Sequence, residues 1–453
     1  MALLTLSFVY IWRTDYVEYV NYWRSIANYA VIFLYVVLLA IFTVIYNSNK
    51  IGILRLAEII YSFFLTLLLT DFVTYIQFWL IAREVLSPLP MLELLFIQMA
   101  TASAGAFLIN KLYFYLYPAR RVLMICADND SSAELIRKIK LKRDRYKISE
   151  LINENQGFDK IKESIDKYES VMISSVSHKL RRKIFSYCSF SGKRLYITPD
   201  IQDVMIKSSH KTQIFDTPMF YCKNTSLSAE NAIMKRLIDI IFSLIGLVFF
   251  APFMLIAAIC IKIEDKGPVF FRQERLTQNG KKFKVYKLRS MYVNAEKHSG
   301  AVLASKRDPR ITKVGHIIRM LRLDEVPQIF NILKGEMSIV GPRPERPEIS
   351  ALYERTIPEF CLRLNVKAGL TGYAQIYGRY STSPKDKLLL DLMYIENYSV
   401  LLDLQLMFMT IKILFMPESS EGIDEDENAQ DEEKEPPAGN NRKNPRTVMK
   451  KRI

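Results

Sequence analysis

Apolar residues run almost unbroken through three stretches near the start of the chain. Residues 25–46 contain YAVIFLYVVLLAIFTVIY, residues 56–81 form a second run dotted with Glu58, Asp71 and Gln77, and residues 91–117 a third that includes the small residues of MATASAGAF. Each is long enough to cross about 30 Å of hydrocarbon as a helix, and small residues let such helices approach closely. Residues 2–12 are apolar over only about half a span and lack the charged start and cleavage site of a signal peptide. Residues 1–118 are therefore expected to form a helical membrane bundle of about four segments, the first one short.

The period then changes. RVLMICAD, ESVMISSV and KRLYITPD read as strands, SSAELIRKIK as a helix opening on serine caps, and a further helix is expected near residues 179–187. Strands alternating with helices imply a parallel sheet, so residues 119–228 are read as a Rossmann-like α/β module. The turn after its first strand, CADNDSSAEL, has no glycine, whereas a dinucleotide site needs glycines for close approach to a pyrophosphate. A structural or regulatory role is the expectation.

Residues 231–263 have a basic start followed by mostly apolar sequence with Pro252 in the middle. One more transmembrane helix is one reading. The competing reading is a helix broken at Pro252, where proline removes a backbone donor and bends the chain. Cations flank both ends, Lys235 and Arg236 before, Lys262 and Lys266 after, which favours a re-entrant hairpin that returns to the side it left. Residues 229–416 as a whole read as a compact, basic, mostly α domain built around that segment. Residues 417–453 are an acidic block with a basic end, too poor in apolar residues to order. The fold class is thus membrane-associated and mixed.

Composition agrees: of 453 residues, 50% are hydrophobic, too many for one soluble globule of ordinary make-up. The formal charge is +15, and residues 417–453 hold ten acids against seven Lys or Arg. The body therefore carries about +18, which suits nucleic acid, anionic head groups or phosphorylated substrates. Nothing resembles a nucleic-acid fold signature, so lipid and phosphate are the better match. Lys50 and Arg55 lie in one connection and Arg120 and Arg121 follow the last span, while Arg13, Arg24 and Arg83 on the other side are diluted by Asp15, Glu18 and Glu84. If four segments cross, the positive-inside rule leads both clusters, and everything after Arg121, to be expected on the cytoplasmic side. The five cysteines and four histidines are scattered without metal-binding spacing.

Candidate chemistry gathers in LRLDEVPQIFNILKGEMSIVGPRPERP, residues 321–347. VGHIIRMLRL has helical spacing and ends at Asp324-Glu325; Pro327 suits the first turn of a new helix, PQIFNILKG, with Ile329, Phe330 and Leu333 inward and Gly335 as its stop. The acids thus stand at a helix start, where a plain cap is the bland interpretation. The surroundings argue for more. Pro342, Pro344 and Pro347 stiffen the segment that presents Arg343, lowering the entropy of gripping a phosphate. Arg319 and Arg322 lie on the preceding helix, Arg310 in RDPRIT, Lys287 and Arg289 in VYKLRSM, and KAGLTGYAQIYGR adds Gly369, Gly372 and Gly378 with Lys367 and Arg379. Acids inside such a polyanion pocket either hold a divalent cation or attack phosphorus, and a carboxylate beside cations stays ionised.

These residues carry a resemblance. KRLIDIIFSLIGLVFFAPFML, KGPVFFRQERLTQNGKKFKVYKLRSM, DPRITKVGHIIRMLRLDEVPQIFNILKGEMSIVGPRPERP and AGLTGYAQIYGR resemble the bacterial sugar transferase family, the monotopic polyprenyl-phosphate sugar-1-phosphate transferases, over residues 232–415. The layout of membrane helices and glycine-poor module resembles the large-form members, in which a CoA-binding-like domain precedes catalysis. The resemblance implies that Asp324 is the nucleophile, attacking the sugar-linked phosphate of a UDP-sugar and releasing UMP. Polyprenyl phosphate would then take the phosphosugar from the aspartate. Such chemistry starts exopolysaccharide, capsule or O-antigen synthesis at a bacterial inner membrane. Glu325 maps onto the partner acid, for Mg²⁺ binding or for proton handling. A Mg²⁺ site would use Asp324 and Glu325, and Arg343 maps onto a phosphate-gripping position. Arg319, Arg310, Lys287, Arg289 and Arg379 complete the phosphate-binding set, and Pro252 is the kink of the re-entrant helix. Ala251 stands where many members have serine, and Arg322 where a small hydroxyl residue is commoner. Implied partners are a UDP-sugar, polyprenyl phosphate, membrane lipid and, at most, further copies in a homo-oligomer; nucleic acid is not among them. The competing interpretation is a non-catalytic membrane scaffold or sensor acting through its Rossmann-like domain.

Overall fold

A computed structural model of the chain describes residues 1–17, 26–127, 130–140, 145–222, 227–293, 308–378 and 382–414. They fall into two compact units, Met1–Asn224 with Glu396–Lys412, and Thr225–Ile395. The charged tail expected over 417–453 lies outside the described residues.

In the first unit the apolar runs become helices α1 (Ala2–Ile11), α2 (Ile26–Tyr46), α3 (Leu56–Ala82) and α4 (Leu89–Leu116). The last three are long and apolar enough to cross a membrane, whereas α1 has only ten residues. It continues into a turn of π-helix, Trp12–Tyr16, and sets Phe8, Trp12 and Tyr16 around Phe78 of α3. Inside the bundle, where water is lacking, Gln98 donates to Tyr35 Oη at 2.8 Å, and Tyr35 Oη to Asp71 Oδ1 at 3.2 Å. Ala102 and Ala106 of the small-residue run are buried.

Four parallel strands follow, β1 (Arg120–Cys126), β2 (Tyr146–Asn153), β3 (Ser170–Ser174) and β4 (Arg194–Ile197), in the order β2-β1-β3-β4. Their connections contain α5 (Asp130–Lys140), α6 (Phe158–Lys167) and α7 (His178–Phe190). β1 and β3 are central and buried along most of their length, so their sequences are continuous apolar runs. β2 lies at the sheet edge, alternates in burial, and was not among the strands read from the sequence. Helix α8 (Ile201–Ser208) and an exposed hairpin, β5 (His210–Ile214) with β6 (Thr217–Tyr221), complete the module.

The second unit is mostly helical. Helix α9 (Ala229–Asp265) is continuous for 37 residues and runs through Pro252, so the helix is not broken there as expected. A proline costs one backbone bond, which the long apolar helix tolerates. A hairpin, β7 (Phe270–Leu276) and β8 (Lys282–Leu288), precedes α10 (Lys313–Met320), a short 3₁₀ turn over Leu323–Glu325, and α11 (Gln328–Lys334). Then come β9 (Ser338–Val340), α12 (Pro347–Thr356), a 3₁₀ stretch Pro358–Asn365, β10 (Gly369–Thr371), α13 (Tyr373–Tyr377) and α14 (Pro384–Glu396).

Both ends of α9 bond to this unit. At its start, Arg236 donates to the carbonyls of Ile332 and Leu333 at 2.6 and 2.7 Å, capping α11, while Asp239 Oδ1 accepts from Ser338 Oγ and Ile339 N. At its end, Glu264 accepts from Lys313 N at 2.8 Å and caps α10; Ala257 and Ile261 pack against Ile318 and Leu288. Between them the helix presents apolar side chains outward, Val248 at 79% exposure. The flanking cations at the start are committed inward: Lys235 is buried and donates to Tyr394 Oη at 3.0 Å. Helix α15 (Val400–Leu414) follows this unit in sequence yet packs within the first, with Phe408 edge-on to Phe42 and Lys412 donating to Ser62 Oγ at 2.7 Å.

Candidate functional site

Arg322 ends α10. Its φ of 56° places a non-glycine residue in the left-handed region and turns the chain sharply into the Leu323–Glu325 turn. Pro327 stands just before α11, and Gly335, at φ 84°, ends it. The buried face of α11 is Gln328, Ile329, Asn331 and Ile332; Phe330, expected inward, is exposed instead, and Leu333 is half-buried. The helix is too short for apolar spacing to decide its face. Asn331 decides it: its amide oxygen accepts from Tyr286 N at 3.0 Å and its nitrogen donates to Lys284 O at 2.9 Å, so β8 is held to α11 much as by another strand.

That contact brings Lys287 of β8 onto the acid pair. Lys287 Nζ and Arg343 Nη2 each lie 2.9 Å from the same oxygen of Glu325, Oε1. Among the described residues no side chain takes Glu325 Oε2, and Asp324 makes no side-chain hydrogen bond or ion pair. The two acids therefore differ in electrostatic state. Burial acts to raise the Glu325 carboxyl, but Arg343 and Lys287 outweigh it and hold Glu325 well below the usual carboxylate range. Burial and then the negative charge of Glu325 push Asp324 up, against a weaker pull from Lys287, Arg319 and Arg322. Ionisation beside cations, expected of the acids together, is thus favoured strongly at Glu325, whereas Asp324 is displaced the other way.

The other cations expected at the site have varied placements. Arg319 Nε donates to Ser290 Oγ at 2.8 Å while its charge acts on Asp324. Arg289 is buried and ion-paired with Asp265, and Arg310 clasps Asp308 through Nε at 2.8 Å and Nη2 at 2.5 Å. Arg379 lies outside the described residues. Arg275 of β7 was not anticipated: Nη1 donates to Pro344 O at 3.2 Å, and burial, followed by the charge of Arg343, brings its guanidinium down to about 10. Its sequence signal was its place in KGPVFFRQERLTQNGKKFKVYKLRSM, a segment that carries the family resemblance.

Gly369 has a packing role. A Cβ there would stand 2.1 Å from Gly341 N and 2.5 Å from Gly341 O, because β10 runs parallel to β9 and its backbone crosses Gly341 closely. Gly369→Ala is expected to cost about 3 kcal/mol or more, the upper range of overpacking, since backbone has no free volume into which to yield. Chemical denaturation of the full chain measures it; a loss below about 1 kcal/mol would refute the crossing.

Among the described residues, no side chain bonds to three carboxylate oxygens, both of Asp324 and Oε2 of Glu325. No cluster of three or more potential metal ligands occurs among the described residues. This donor set fits Mg²⁺, which takes hard oxygens from one or two carboxylates and the rest from water and substrate phosphates.

A profile of the bacterial sugar transferase family matches residues 230–417, the span that holds α9, the acid pair and the Pro-Arg-Pro segment. The exopolysaccharide production protein PSS of Rhizobium leguminosarum bv. phaseoli is 40% identical over 187 residues, which are 94% of that protein and 40% of this chain. The chain belongs to the bacterial sugar transferase family. Longer relatives match in part. The UDP-glucose:undecaprenyl-phosphate glucose-1-phosphate transferase of Klebsiella pneumoniae is 38% identical over 270 residues, 58% of this chain and 57% of that one. The UDP-N-acetylgalactosamine-undecaprenyl-phosphate N-acetylgalactosaminephosphotransferase of Aeromonas hydrophila is 42% identical over 186 residues, 40% and 44% of the two chains. The matches thus span about half the length of these two relatives.

Proposed function

We propose that the chain transfers a sugar-1-phosphate from a UDP-sugar to polyprenyl phosphate, starting polysaccharide assembly on the cytoplasmic face of a bacterial inner membrane. The observation that carries the assignment of roles is the asymmetry of the acid pair. Glu325 is pinned by Lys287 and Arg343, whereas Asp324 makes no side-chain hydrogen bond or ion pair among the described residues.

An oxygen of the ionised Asp324 attacks the sugar-linked phosphorus. The bond from that phosphorus to the bridging oxygen breaks, and UMP leaves with the electron pair. Arg343 and Lys287 grip phosphate oxygens as negative charge builds on them. A phosphate oxygen of polyprenyl phosphate then attacks the same phosphorus, the Asp324 carboxylate departs, and polyprenyl-diphosphate-sugar is released. Mg²⁺, held by Asp324 and Glu325 Oε2, would supply further charge neutralisation on the phosphates. One pocket serves both half-reactions in turn.

The docking of both α9 ends on one unit supports a re-entrant path. A bilayer-crossing helix would separate its ends by about 30 Å of hydrocarbon, yet Arg236 and Glu264 cap neighbouring helices of the same unit. Pro252 then lies at the deepest point, and the site meets the head-group plane. Cysteines placed at 230 and 266 in a cysteine-free chain are expected to label from the same side of sealed vesicles; labelling from opposite sides would end this reading.

The relatives' names print both UDP-glucose and UDP-N-acetylgalactosamine, so the assay is UMP release from a panel of UDP-sugars, with and without polyprenyl phosphate and Mg²⁺. Release from one or more donors is expected. Release from none would overturn the proposal and leave the scaffold alternative.

A further inference from the structure

We propose that Arg363 and Asp391 form a buried positioning pair that aims Arg343 by holding its main-chain carbonyl. Arg363, in the 3₁₀ stretch Pro358–Asn365, and Asp391, in α14, are 2% and 1% exposed. Arg363 Nη2 lies 2.7 Å from Asp391 Oδ2 and donates to Arg343 O at 3.0 Å; Nη1 lies 3.4 Å from Glu345 Oε1, to which Lys387 of α14 also bonds.

A buried ion pair seldom stabilises more than apolar side chains of the same size would. Its presence therefore calls for a reason beyond stability, and the planar guanidinium supplies one, because its donors have fixed directions. The carbonyl of residue 343 reports ψ of Arg343. Proline rings fix φ at 342 and 344, and Pro344 narrows ψ of Arg343 to an extended window of some tens of degrees. Arg363 holds the carbonyl at one orientation within that window. Neighbouring carbonyls are held as well: Pro342 O by Gly369 N at 2.9 Å, Pro344 O by Arg275, and Glu345 O by Leu276 N at 3.0 Å. The whole segment is gripped as a strand would be, and the Arg343 guanidinium leaves it in the direction of Glu325.

The inference rests on the proposed role of Arg343, and its test separates the two. The full chain is prepared as the double variant Arg363→Met/Asp391→Leu, which removes the charges together, and as Arg363→Lys, which keeps the charge without the fork. The double variant is expected to unfold within about 5 °C of the parent, while kcat/KM for UMP release falls roughly 10²-fold, the scale of a misplaced catalytic group. Adding Arg343→Ala to the double variant should cost little more, because both changes act through one guanidinium. Arg363→Lys should fall between, and serves alone if the double variant does not fold. Independent, additive losses, or a folded variant with parental kcat/KM, would overturn the proposal. Should the parent itself release no UMP, the functional reading fails, and the positioning claim is decided by a structure of the variant. The Arg343 guanidinium is expected to have left Glu325, and a retained 2.9 Å contact would refute it.

Discussion

Asp324→Asn should abolish UMP release, with turnover lowered by roughly 10⁴-fold or more, as when an enzyme loses its nucleophile. The change is nearly isosteric and takes no partner away, because the carboxylate makes no hydrogen bond or ion pair among the described residues. The fold should therefore persist. A carboxyl whose pKa is raised on folding is one whose ionised form the fold disfavours at neutral pH. Removing it should leave the melting temperature unchanged or slightly higher. The same shift governs the pH profile of the parent enzyme. Attack requires the ionised form, so activity should appear only above the ordinary aspartate range. Glu325→Gln removes one of the two causes of the shift and should move the acid limb to lower pH. An Asp324→Asn protein that is folded and still turns over at the parental rate would sink the mechanism.

Arg343→Ala is expected to lower kcat/KM by roughly 10²- to 10³-fold, the scale of losing one charged donor to a developing oxyanion. Two effects act together. A phosphate grip is lost, and Glu325 retains only Lys287 against the cost of its burial. Its carboxyl should rise toward the usual range, weakening the contrast between the two acids. Arg343→Lys restores the charge but not the planar fork and should recover only part of the activity. Full recovery with lysine would show that charge alone matters, and the stiff proline-bracketed presentation would then have no catalytic role. Steady-state kinetics with the best donor from the UDP-sugar panel make the comparison.

Much of the chain was legible because the responsible forces act within a few residues. Lengths of apolar sequence marked α2, α3, α4 and α9, and buried central strands revealed themselves as continuous runs. Pro327 and Gly335 bounded α11 through backbone geometry alone. The edge strand β2 and the outward turn of Phe330 were not legible, since each depends on what lies across from it.

The acid pair shows where that boundary falls. By itself, the sequence determined that Asp324 and Glu325 stand together at a turn before a helix, with arginine on a proline-stiffened segment beyond. Those are properties of adjacent residues and of proline's fixed backbone angle. Only the tertiary structure decided which acid is committed. Lys287, 38 residues before Glu325, and Arg343, 18 after it, converge on one oxygen of Glu325, while Asp324 has no side-chain bond among the described residues. It likewise withdrew Arg289 and Arg310 into pairs with Asp265 and Asp308 and made Gly369 a point of backbone crossing. Charges choose partners by distance and burial in three dimensions, and over such separations neither can be read from the order of residues.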